Sequence, residues 1–426
     1  MNILIVGNGF DLSHYLPTKY DHFMVAMGAI ESWDENKGEM GFDDLFGSLY
    51  EKENYFFKYT KAMYQTDEIK ISIDKVQDLK EELKGNVWYQ YFKHHITNIE
   101  TWIDFEVEIE SVLDCVSNFC QEADKIYKLN ERLDSQVYHL MQESVAKTNV
   151  RCGRNTLQIL KCLMIIIDKK DDFLDQNVNV ISDQFFRNGN VTLSLDNCYI
   201  FMILERFLRK FIDIFNFYLS GVIYNLNLKE KLTNEILEID DDLRLYSFNY
   251  TETFQKIYDN KNISQYLHGK SGEVHNIVLG ISELKSEHLL TSKAYGFTKY
   301  HQKLFKNTDY LFLNDDESLK NKIYPRGMGR HDLVKIFIWG HSLSNSDDNY
   351  VKEIFSYNED NYCLVRVIIF YFKEDNFILL NNLLDILGKD KVEKWMKKGW
   401  LKFKPNPNIV EINNIQPIDL PKFCEK

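Results

Sequence analysis

The sequence is poor in the features that mark several common protein classes. Its seven cysteines are scattered over 426 residues and form no Cys-x-x-Cys pair. This pattern argues against a disulfide framework and a structural zinc site, and it favours reduced thiols in a cytoplasm. We therefore expect a cytoplasmic protein with no metal cofactor. The cysteines stand at positions 115, 120, 152, 162, 198, 363 and 424.

Long apolar runs and common catalytic motifs are missing as well. The apolar run at residues 163–167 is far shorter than the ~20 residues of a membrane-spanning helix. The apolar start of the chain has no basic segment before it, unlike a signal peptide. There is no Walker A loop and no His-Glu-x-x-His, and Ser342 lacks the Gly-x-Ser-x-Gly elbow of a serine hydrolase. No membrane partner is expected.

Basic residues are fewer than acidic ones. The chain has 51 Lys and Arg against 64 Asp and Glu, which gives a formal net charge of −13. A negative protein repels the phosphate backbone of nucleic acids at long range. Nucleic acid is therefore not the expected partner.

What the chain does have is material for a large core, with 44% hydrophobic and 14% aromatic residues. Residues 21–240 contain no proline, and their apolar residues recur at three- and four-residue steps, the helical period. We predict an α-helical insertion there, with long helices over residues 104–147 and 199–238. An irregular stretch is predicted near residues 175–195.

Strand signals lie on both sides of this insertion. Residues 2–6 form a short apolar, β-branched run, as in a buried parallel strand. Beyond residue 241, strand candidates alternate with helical segments, and a helix is predicted over residues 377–387. This alternation predicts an α/β fold with a Rossmann-like open parallel sheet. The later strand candidates are residues 243–248, 265–267, 276–280, 334–339 and 363–372.

The predicted organisation has three parts. Residues 1–20 and 241–404 form a nucleotide-binding domain, and residues 21–240 are inserted into it. Residues 405–426 hold four of the six prolines and are predicted to form an extended tail.

Small and polar residues follow several predicted strands. In an open parallel sheet the ligand lies at the carboxyl ends of the strands. Gly7-Asn8-Gly9, Asn249, His268 and Gly340-His341-Ser342 all stand at such ends. We therefore expect them to converge on one crevice.

Three residues, His268, Asn249 and Asp11, have both a chemical and a structural interpretation. His268 is a candidate proton acceptor for water or a ribose hydroxyl, or a structural histidine. Asn249 is suited to orient water or ribose, or to cap a helix begun by Thr251. Asp11 is suited to hold ribose hydroxyls, or to cap the helix after the glycine turn.

An acidic run is the remaining candidate. Its members suggest metal ligands, but no histidine lies near them in the sequence, and a solvated acidic helix face is the alternative. The run comprises Asp104, Glu106, Glu108 and Glu110.

Taken together, the motifs resemble the AbiH-type bacteriophage abortive-infection family and, more broadly, the sirtuin-like NAD-binding superfamily. The order of the motifs along the chain carries this resemblance, which touches the helical middle only around Trp102-x-Asp104-x-Glu106. The motifs are Gly7-Asn8-Gly9-Phe10-Asp11, Leu16-Pro17-Thr18, Ser247-Phe248-Asn249-Tyr250-Thr251, Leu267-His268-Gly269 and Gly340-His341-Ser342-Leu343.

The resemblance implies NAD as ligand or substrate. It implies that the turn holding Gly7, Asn8, Gly9 and Phe10 faces the NAD diphosphate. By the same resemblance, Gly340, His341 and Ser342 form further cofactor contacts. His268 matches the sirtuin-like general base, and Asn249 would orient ribose or water.

Some positions depart from the sirtuin pattern. Asp11 stands where sirtuins carry serine, Thr251 replaces an aspartate, and the paired zinc cysteines are missing. These departures argue against a peptide deacylase.

Three functions stay open: hydrolysis of NAD in phage defence, with His268, Asn249 and Asp11 as catalytic residues; nucleotide sensing without turnover; and a metal-dependent nuclease using Asp104 and Glu106. A homo-oligomer and a phage-derived trigger are open partner hypotheses.

Overall fold

The structure of the 426-residue chain is a computed structural model. The structure describes residues 2–94, 102–130, 154–171, 176–187, 194–233, 243–258, 264–308, 311–313, 315, 317, 333–358 and 365–422.

The described chain alternates helices and strands. The strands are β1 Asn2–Val6, β2 Met40–Gly41, β3 Lys70–Ile71, β4 Ile166–Asp171, β5 Gln176–Ile181, β6 Phe186–Arg187, β7 Ser194–Leu195, β8 Leu243–Ser247, β9 Ser264–Tyr266, β10 Val334–Trp339, β11 Val365–Tyr371 and β12 Leu401–Pro405. The helices are α1 Asn8–Ser13, α2 Tyr20–Glu31, α3 Phe42–Phe46, α4 Asn54–Met63, α5 Ile73–Gly85, α6 Val87–His94, α7 Trp102–Asn130, α8 Arg154–Cys162, α9 Asn197–Phe217, α10 Thr253–Tyr258, α11 Glu287–Thr291, α12 Lys299–Lys306, α13 Asp348–Ile354, α14 Asn376–Leu387, α15 Lys389–Lys397 and α16 Ile409–Ile412.

Six strands form one parallel sheet in the order β12-β11-β10-β1-β8-β9. Numbered by their sequence among these six, the order is 3-2-1-4-5-6 read from β9, which is the order of dinucleotide-binding Rossmann sheets. The predicted pairing of the first strand with strands beyond residue 240 is confirmed. The α/β fold with a Rossmann-like open sheet is confirmed with it.

β1 lies in the middle of the sheet because it is apolar on both faces. All five of its residues are buried, and Ile3 pairs with Ile336 on one side and Arg244 on the other. Alternate side chains such as Ile3 and Ile5 join a core cluster that includes Leu383 and Trp395 from α14 and α15. The carboxyl ends of β1 and β10 lie side by side. The connections that follow these two strands run toward opposite edges of the sheet.

The chain divides into two compact units. Unit 1 comprises Met1–Gln77, Phe215–Val278 and Lys303–Lys426, and unit 2 comprises Asp78–Ile214 and Leu279–Gln302. Unit 1 thus contains the six-stranded sheet together with both ends of the predicted insertion.

Aromatic packing explains why the ends of the insertion accompany the sheet. The ring of Phe23 in α2 lies 5.2 Å from Phe215 and 5.4 Å from Tyr218. The hydroxyl of Tyr218 also donates to the carbonyl of Pro17. These contacts stabilise α2 and the end of α9 beside the first βα connection.

Unit 2 is built mainly from helices α6 to α9. Phe92 packs 4.2 Å from Phe105, whose ring stacks on Phe211 at 5.3 Å. The indole of Trp88 donates to the carbonyl of Leu204 at 2.9 Å. Unit 2 also contains an antiparallel hairpin of β4 and β5, so the irregular stretch predicted near residues 175–195 is partly regular strand.

Two of the predicted helices have ends that differ from the prediction or lie outside the described residues. The helix predicted over residues 199–238 is α9, which continues as a π-helix at Tyr218–Ile223 and then stops. The side chain of Asn225 donates to the carbonyl of Gly221 at 2.8 Å and satisfies a terminal helix acceptor. The helix predicted over residues 104–147 is α7, and residues 131–147 lie outside the described chain.

Two further expectations need correction. Residues 276–280 do not form the predicted strand, because the amide of Val278 bonds to the carbonyl of His268 in a loop and no strand pairs beside it in the described chain. The tail is not wholly extended, since α16 buries Ile409 and Val410. No helix of the described segments is both long and apolar enough to cross a membrane.

Candidate functional site

The turns after β1 and β10 pack directly on each other. The amide of Gly7 donates to Trp339 O at 3.0 Å, and that of Gly9 donates to Gly340 O at 2.8 Å. A Cβ on Gly7 would lie 2.6 Å from Gly340 O, and one on Gly9 would lie 2.7 Å from Gly340 Cα. Gly340 has φ +73, and its own Cβ would lie 2.0 Å from the nitrogen of Phe10.

These three glycines are therefore required for backbone-to-backbone packing. The amide of Phe10 is also engaged, because it donates to the carbonyl of Gly7 at 2.8 Å. The diphosphate contact implied for Gly7 and Gly9 stays a prediction, and it would need amides that already have protein acceptors.

The other residues of the implied cofactor set have varied surroundings. The ring of Phe10 is fully buried, 5.0 Å from the Trp339 ring, so its side chain belongs to the core. Asn8 is half-buried at the start of α1. Ser342 is half-buried, and its carbonyl accepts from the side chain of Asn382 at 2.9 Å.

Asp11 joins the first turn of the chain to the end of β8. It lies in α1 but does not cap that helix, whose N-cap residue is Gly7. Its Oδ1 accepts from Asn249 Nδ2 at 3.0 Å, and its Oδ2 accepts from Thr251 Oγ1 at 2.6 Å. Thr253 Oγ1 donates in turn to Thr251 Oγ1 at 2.9 Å.

The carboxyl of Asp11 is only 1% exposed. Burial raises its pKa from 3.8 to about 7, and the hydrogen bonds from Thr251, Thr253 and Asn249 oppose that rise. Desolvation outweighs the bonds because all three donors are neutral. Asp11 is thus an acid that exchanges its proton near neutral pH.

Asn249 is held by Asp11 and by its own strand. Its side chain does not cap α10, which begins at Thr253. Its backbone amide donates to Ser247 Oγ at 3.1 Å. Its Oδ1 is buried and accepts no hydrogen bond from any residue that the structure describes. An unpaired buried acceptor is costly, so this oxygen is suited to a donor supplied by a ligand or by water.

His268 lies just after β9 and faces an acid that sequence reasoning missed. Its Nε2 lies 3.1 Å from Oδ1 of Asp347, and His341 Nε2 lies 3.6 Å from Oδ2 of the same carboxylate. All three residues are buried. The ring of Phe248 packs against both histidines, at 5.2 Å and 4.2 Å.

The structure thus gathers the predicted catalytic residues into two clusters on the carboxyl edge of one sheet. Asp11 and Asn249 form one, His268 and His341 form the other, and residues 248–251 run from one to the other. Thr251, Thr253 and Asp347 complete them. The only sequence signal for Asp347 is a polar run after Leu343, which resembles an ordinary helix start.

A cavity of about 320 Å³ opens beside the first cluster. Thr251 and Thr253 line it, together with apolar side chains that include Leu16, Leu219 and Ile223. The π-helix Tyr218–Ile223 supplies two of these walls, and such irregular helical turns are frequent at functional sites. Its volume is at the lower end of the range of small-molecule sites.

The acidic run lies in unit 2, and two of its four residues form ion pairs. Glu106 is buried and lies 2.9 Å from Lys299, and Glu110 lies 2.6 Å from Lys285. Glu108 accepts a hydrogen bond from the hydroxyl of Tyr91. The alternative of a fully solvated face is therefore wrong for Glu106. Within the described residues, no group of three or more His, Cys, Asp or Glu is placed to hold a metal ion.

Comparison with known proteins identifies the family. The model of the bacteriophage abortive infection family AbiH matches residues 3–203 and 202–371. Searches of the curated proteins and of the solved structures gave no match. The matched segments span most of the chain and include both clusters of the sheet edge. The chain belongs to the bacteriophage abortive infection family AbiH, whose role is anti-phage defence.

Proposed function

We propose that unit 1 binds NAD at the carboxyl edge of its sheet and hydrolyses the bond between nicotinamide and ribose. Loss of NAD would stop the host and the phage together. The observation that carries the proposal is the Asp11–Asn249 pair, a buried acid beside a buried amide oxygen to which no described residue donates. Ribose hydroxyls both donate and accept, so they fit such a pair.

Cleavage of the bond between nicotinamide and ribose suits an acid such as Asp11, whose pKa is raised toward neutral pH. Departure of nicotinamide leaves positive charge on the ribose, as in other glycosidic cleavages. An ionised Asp11 would stabilise that charge in surroundings from which water is excluded. Because its pKa is about 7, turnover should rise with pH through neutrality as this carboxyl ionises.

His268 would take the proton from the attacking water, and Asn249 would hold the ribose or the water in place. The cavity beside Thr251 supports the proposal because it offers room and apolar walls for a heteroaromatic ring next to the Asp11 cluster. The family's place in phage defence supports a reaction that arrests the host.

Nucleotide sensing without turnover is the second candidate. It is favoured by the engaged amides of Gly7, Gly9 and Phe10 and by the burial of Asp11, Asn249 and His268. Such a closed site suits a protein that binds a ligand and changes shape. This candidate predicts NAD or ADP-ribose binding with no release of nicotinamide.

The test is nicotinamide release from NAD by purified protein in the presence of a chelator. We expect release by the wild type, and a loss of on the order of a hundredfold in turnover for His268→Ala with NAD affinity little changed. Asn249→Ala should lose turnover and also weaken binding. The exposed His94 and Asn36 provide matched controls, as His94→Ala and Asn36→Ala.

A structural role for His268 makes the opposite forecast. Its removal would then lower the melting temperature and leave turnover per folded molecule unchanged. Normal turnover in folded His268→Ala ends the catalytic assignment. In cells, His268→Ala should also lose phage protection while its expression level stays the same.

A further inference from the structure

The carboxylate of Asp347 is shared by two histidines from different elements. Its two oxygens face His268 Nε2 at 3.1 Å and His341 Nε2 at 3.6 Å. The three side chains are 9% exposed or less. A buried carboxylate needs partners that donate hydrogen bonds, and here both main partners are titratable rings.

Asp347 stands at a helix N-cap, but its side chain does not form the capping hydrogen bond that is usual there. It is the N-cap residue of α13, a place where aspartate typically bonds to the first helical amides and adds about 1 kcal/mol of stability. No such bond forms here. Ser346 Oγ donates to the Asp347 carboxylate at the long distance of 3.5 Å, and the two carboxylate oxygens face His268 and His341.

The second histidine is fixed in one tautomer. The amide of Leu343 donates to His341 Nδ1 at 2.9 Å, so the neutral ring carries its proton on Nε2, which faces Asp347. Leu343 has φ +54, a conformation that leucine rarely adopts. The strained backbone therefore turns Nε2 of His341 toward Oδ2, at 3.6 Å, and leaves Oδ1 for His268.

Aromatic rings enclose this group. Phe248 lies against both histidines, and its ring centroid is 5.1 Å from that of Tyr350. Such an apolar enclosure lowers the local dielectric and strengthens the interaction between a carboxylate and a protonated imidazole.

Other charged groups also face the site. Lys303 Nζ donates to the hydroxyl of Tyr350 at 2.5 Å. The pKa of Tyr350 is raised first by burial and then by the charges of Asp347, Glu353 and Asp315. The ring of Tyr250 lies 6.4 Å from that of His268. A titration at this site must therefore be read on the His268 ring itself.

We propose that Asp347 is a positioning residue, which orients the imidazole of His268 and stabilises its protonated form. Its part in turnover rests on the proposed NAD hydrolysis. There, the C–N bond to nicotinamide breaks and its electron pair leaves with neutral nicotinamide. The water oxygen bonds to the ribose carbon, and the water proton passes to His268. Asp347 balances the new charge until His268 releases the proton to solvent.

The test compares two neighbouring aspartates of the same helix start. Asp347→Asn removes the charge that faces His268, and Asp348→Asn removes a charge that pairs with Lys352 on the helix surface. We expect Asp347→Asn to lower the NMR titration midpoint of the His268 ring by about 1 pH unit or more. Asp348→Asn should leave that midpoint within about 0.2 pH unit of wild type, since a screened surface charge acts weakly.

Turnover gives the second readout. Asp347→Asn should lower kcat about tenfold or more and leave KM nearly unchanged. Asp347→Ser is a second variant that also suits a helix N-cap, and it should behave in the same way.

The outcomes separate this inference from the proposed function. An unchanged His268 midpoint in folded Asp347→Asn or Asp347→Ser overturns the role of Asp347, whatever the turnover. A lowered midpoint in a protein that releases no nicotinamide supports the electrostatic coupling and removes the hydrolase proposal alone.

Discussion

Each unit of the molecule buries a carboxylate, and the two are compensated in different ways. In unit 2, Glu106 lies 2.9 Å from the ammonium of Lys299, and both side chains are buried. In unit 1, Asp11 is bonded by Asn249 and Thr251, which are neutral. The first charge has a counter-charge, and the second has only hydrogen bonds.

This difference separates an acid held in an ion pair from an acid whose pKa is raised by burial. A buried ion pair is stabilised by mutual attraction, which offsets much of the cost of desolvation. A buried carboxyl with neutral donors keeps that cost and shifts its titration toward neutral pH. Perturbed acids of the second kind concentrate at sites of chemistry and binding.

The largest effect is expected when the cation is removed from unit 2. Lys299→Met leaves Glu106 buried without its counter-charge and should cost about 3–5 kcal/mol of unfolding free energy. Lys285→Met is the matched control, because Lys285 pairs with Glu110 of the same helix at the surface, and it should cost less than about 1 kcal/mol. Denaturant melts measure both. Equal losses of unfolding free energy in the two variants would mean that the buried ion pair contributes no more than the surface one.

Neutralising Asp11 in unit 1 should raise the free energy of unfolding, whereas Lys299→Met lowers it. A folded pKa of about 7 against 3.8 unfolded means that wild type loses stability as pH rises between these values, because the unfolded chain ionises first. Asp11→Asn escapes this loss, so its stability relative to wild type should rise by on the order of 4 kcal/mol from pH 4 to pH 8.

The unfolding free energies of Asp11→Asn and wild type must be compared at each pH, because the wild-type curve alone contains a second titrating group. Burial lowers the pKa of His14 to about 4, so this histidine adds stability as pH rises from about 4 to 6.5 and masks part of the Asp11 effect. Both proteins contain His14, and its contribution cancels in their difference. A difference that stays flat with pH would mean that Asp11 titrates in its ordinary range.

The smallest effect concerns the cavity beside Asp11. NAD at about a hundred times its dissociation constant should add roughly 2.7 kcal/mol to the stability of wild type. Ile223→Trp fills the cavity and should remove most of that gain. Ile378→Trp, at a 58% exposed isoleucine of unit 1, should keep it. A full ligand shift in Ile223→Trp would place the nucleotide elsewhere.

The sheet was predictable because its strands are short, apolar runs that end in small or polar residues. Residues 2–6 and 334–339 carry this pattern clearly. The strand expected at residues 276–280 has the same composition but pairs with no strand of the described chain, and pairing is not visible in a single segment. The division of the chain followed packing between distant aromatics such as Phe23 and Phe215, which no local pattern reports.

The candidate site was predictable in part. Strand ends pointed to Asn249, His268 and His341, since parallel strands bring such ends to one edge. Asp347 was missed because an aspartate before a helix normally indicates a cap. The need for glycine at position 9 was visible, but its cause was not: the neighbour that requires it is Gly340.

The central place of β1 has a consequence for how the protein is made. Its neighbours, β8 and β10, begin at residues 243 and 334. At about 5–20 residues per second, a ribosome needs roughly 20–70 s after β1 to produce the second of them. Until then the first strand has an unpaired edge, and the two turns that meet at Gly340 cannot close. A half-made chain therefore has only part of the sheet edge, and the candidate site cannot be assembled until translation has passed β10.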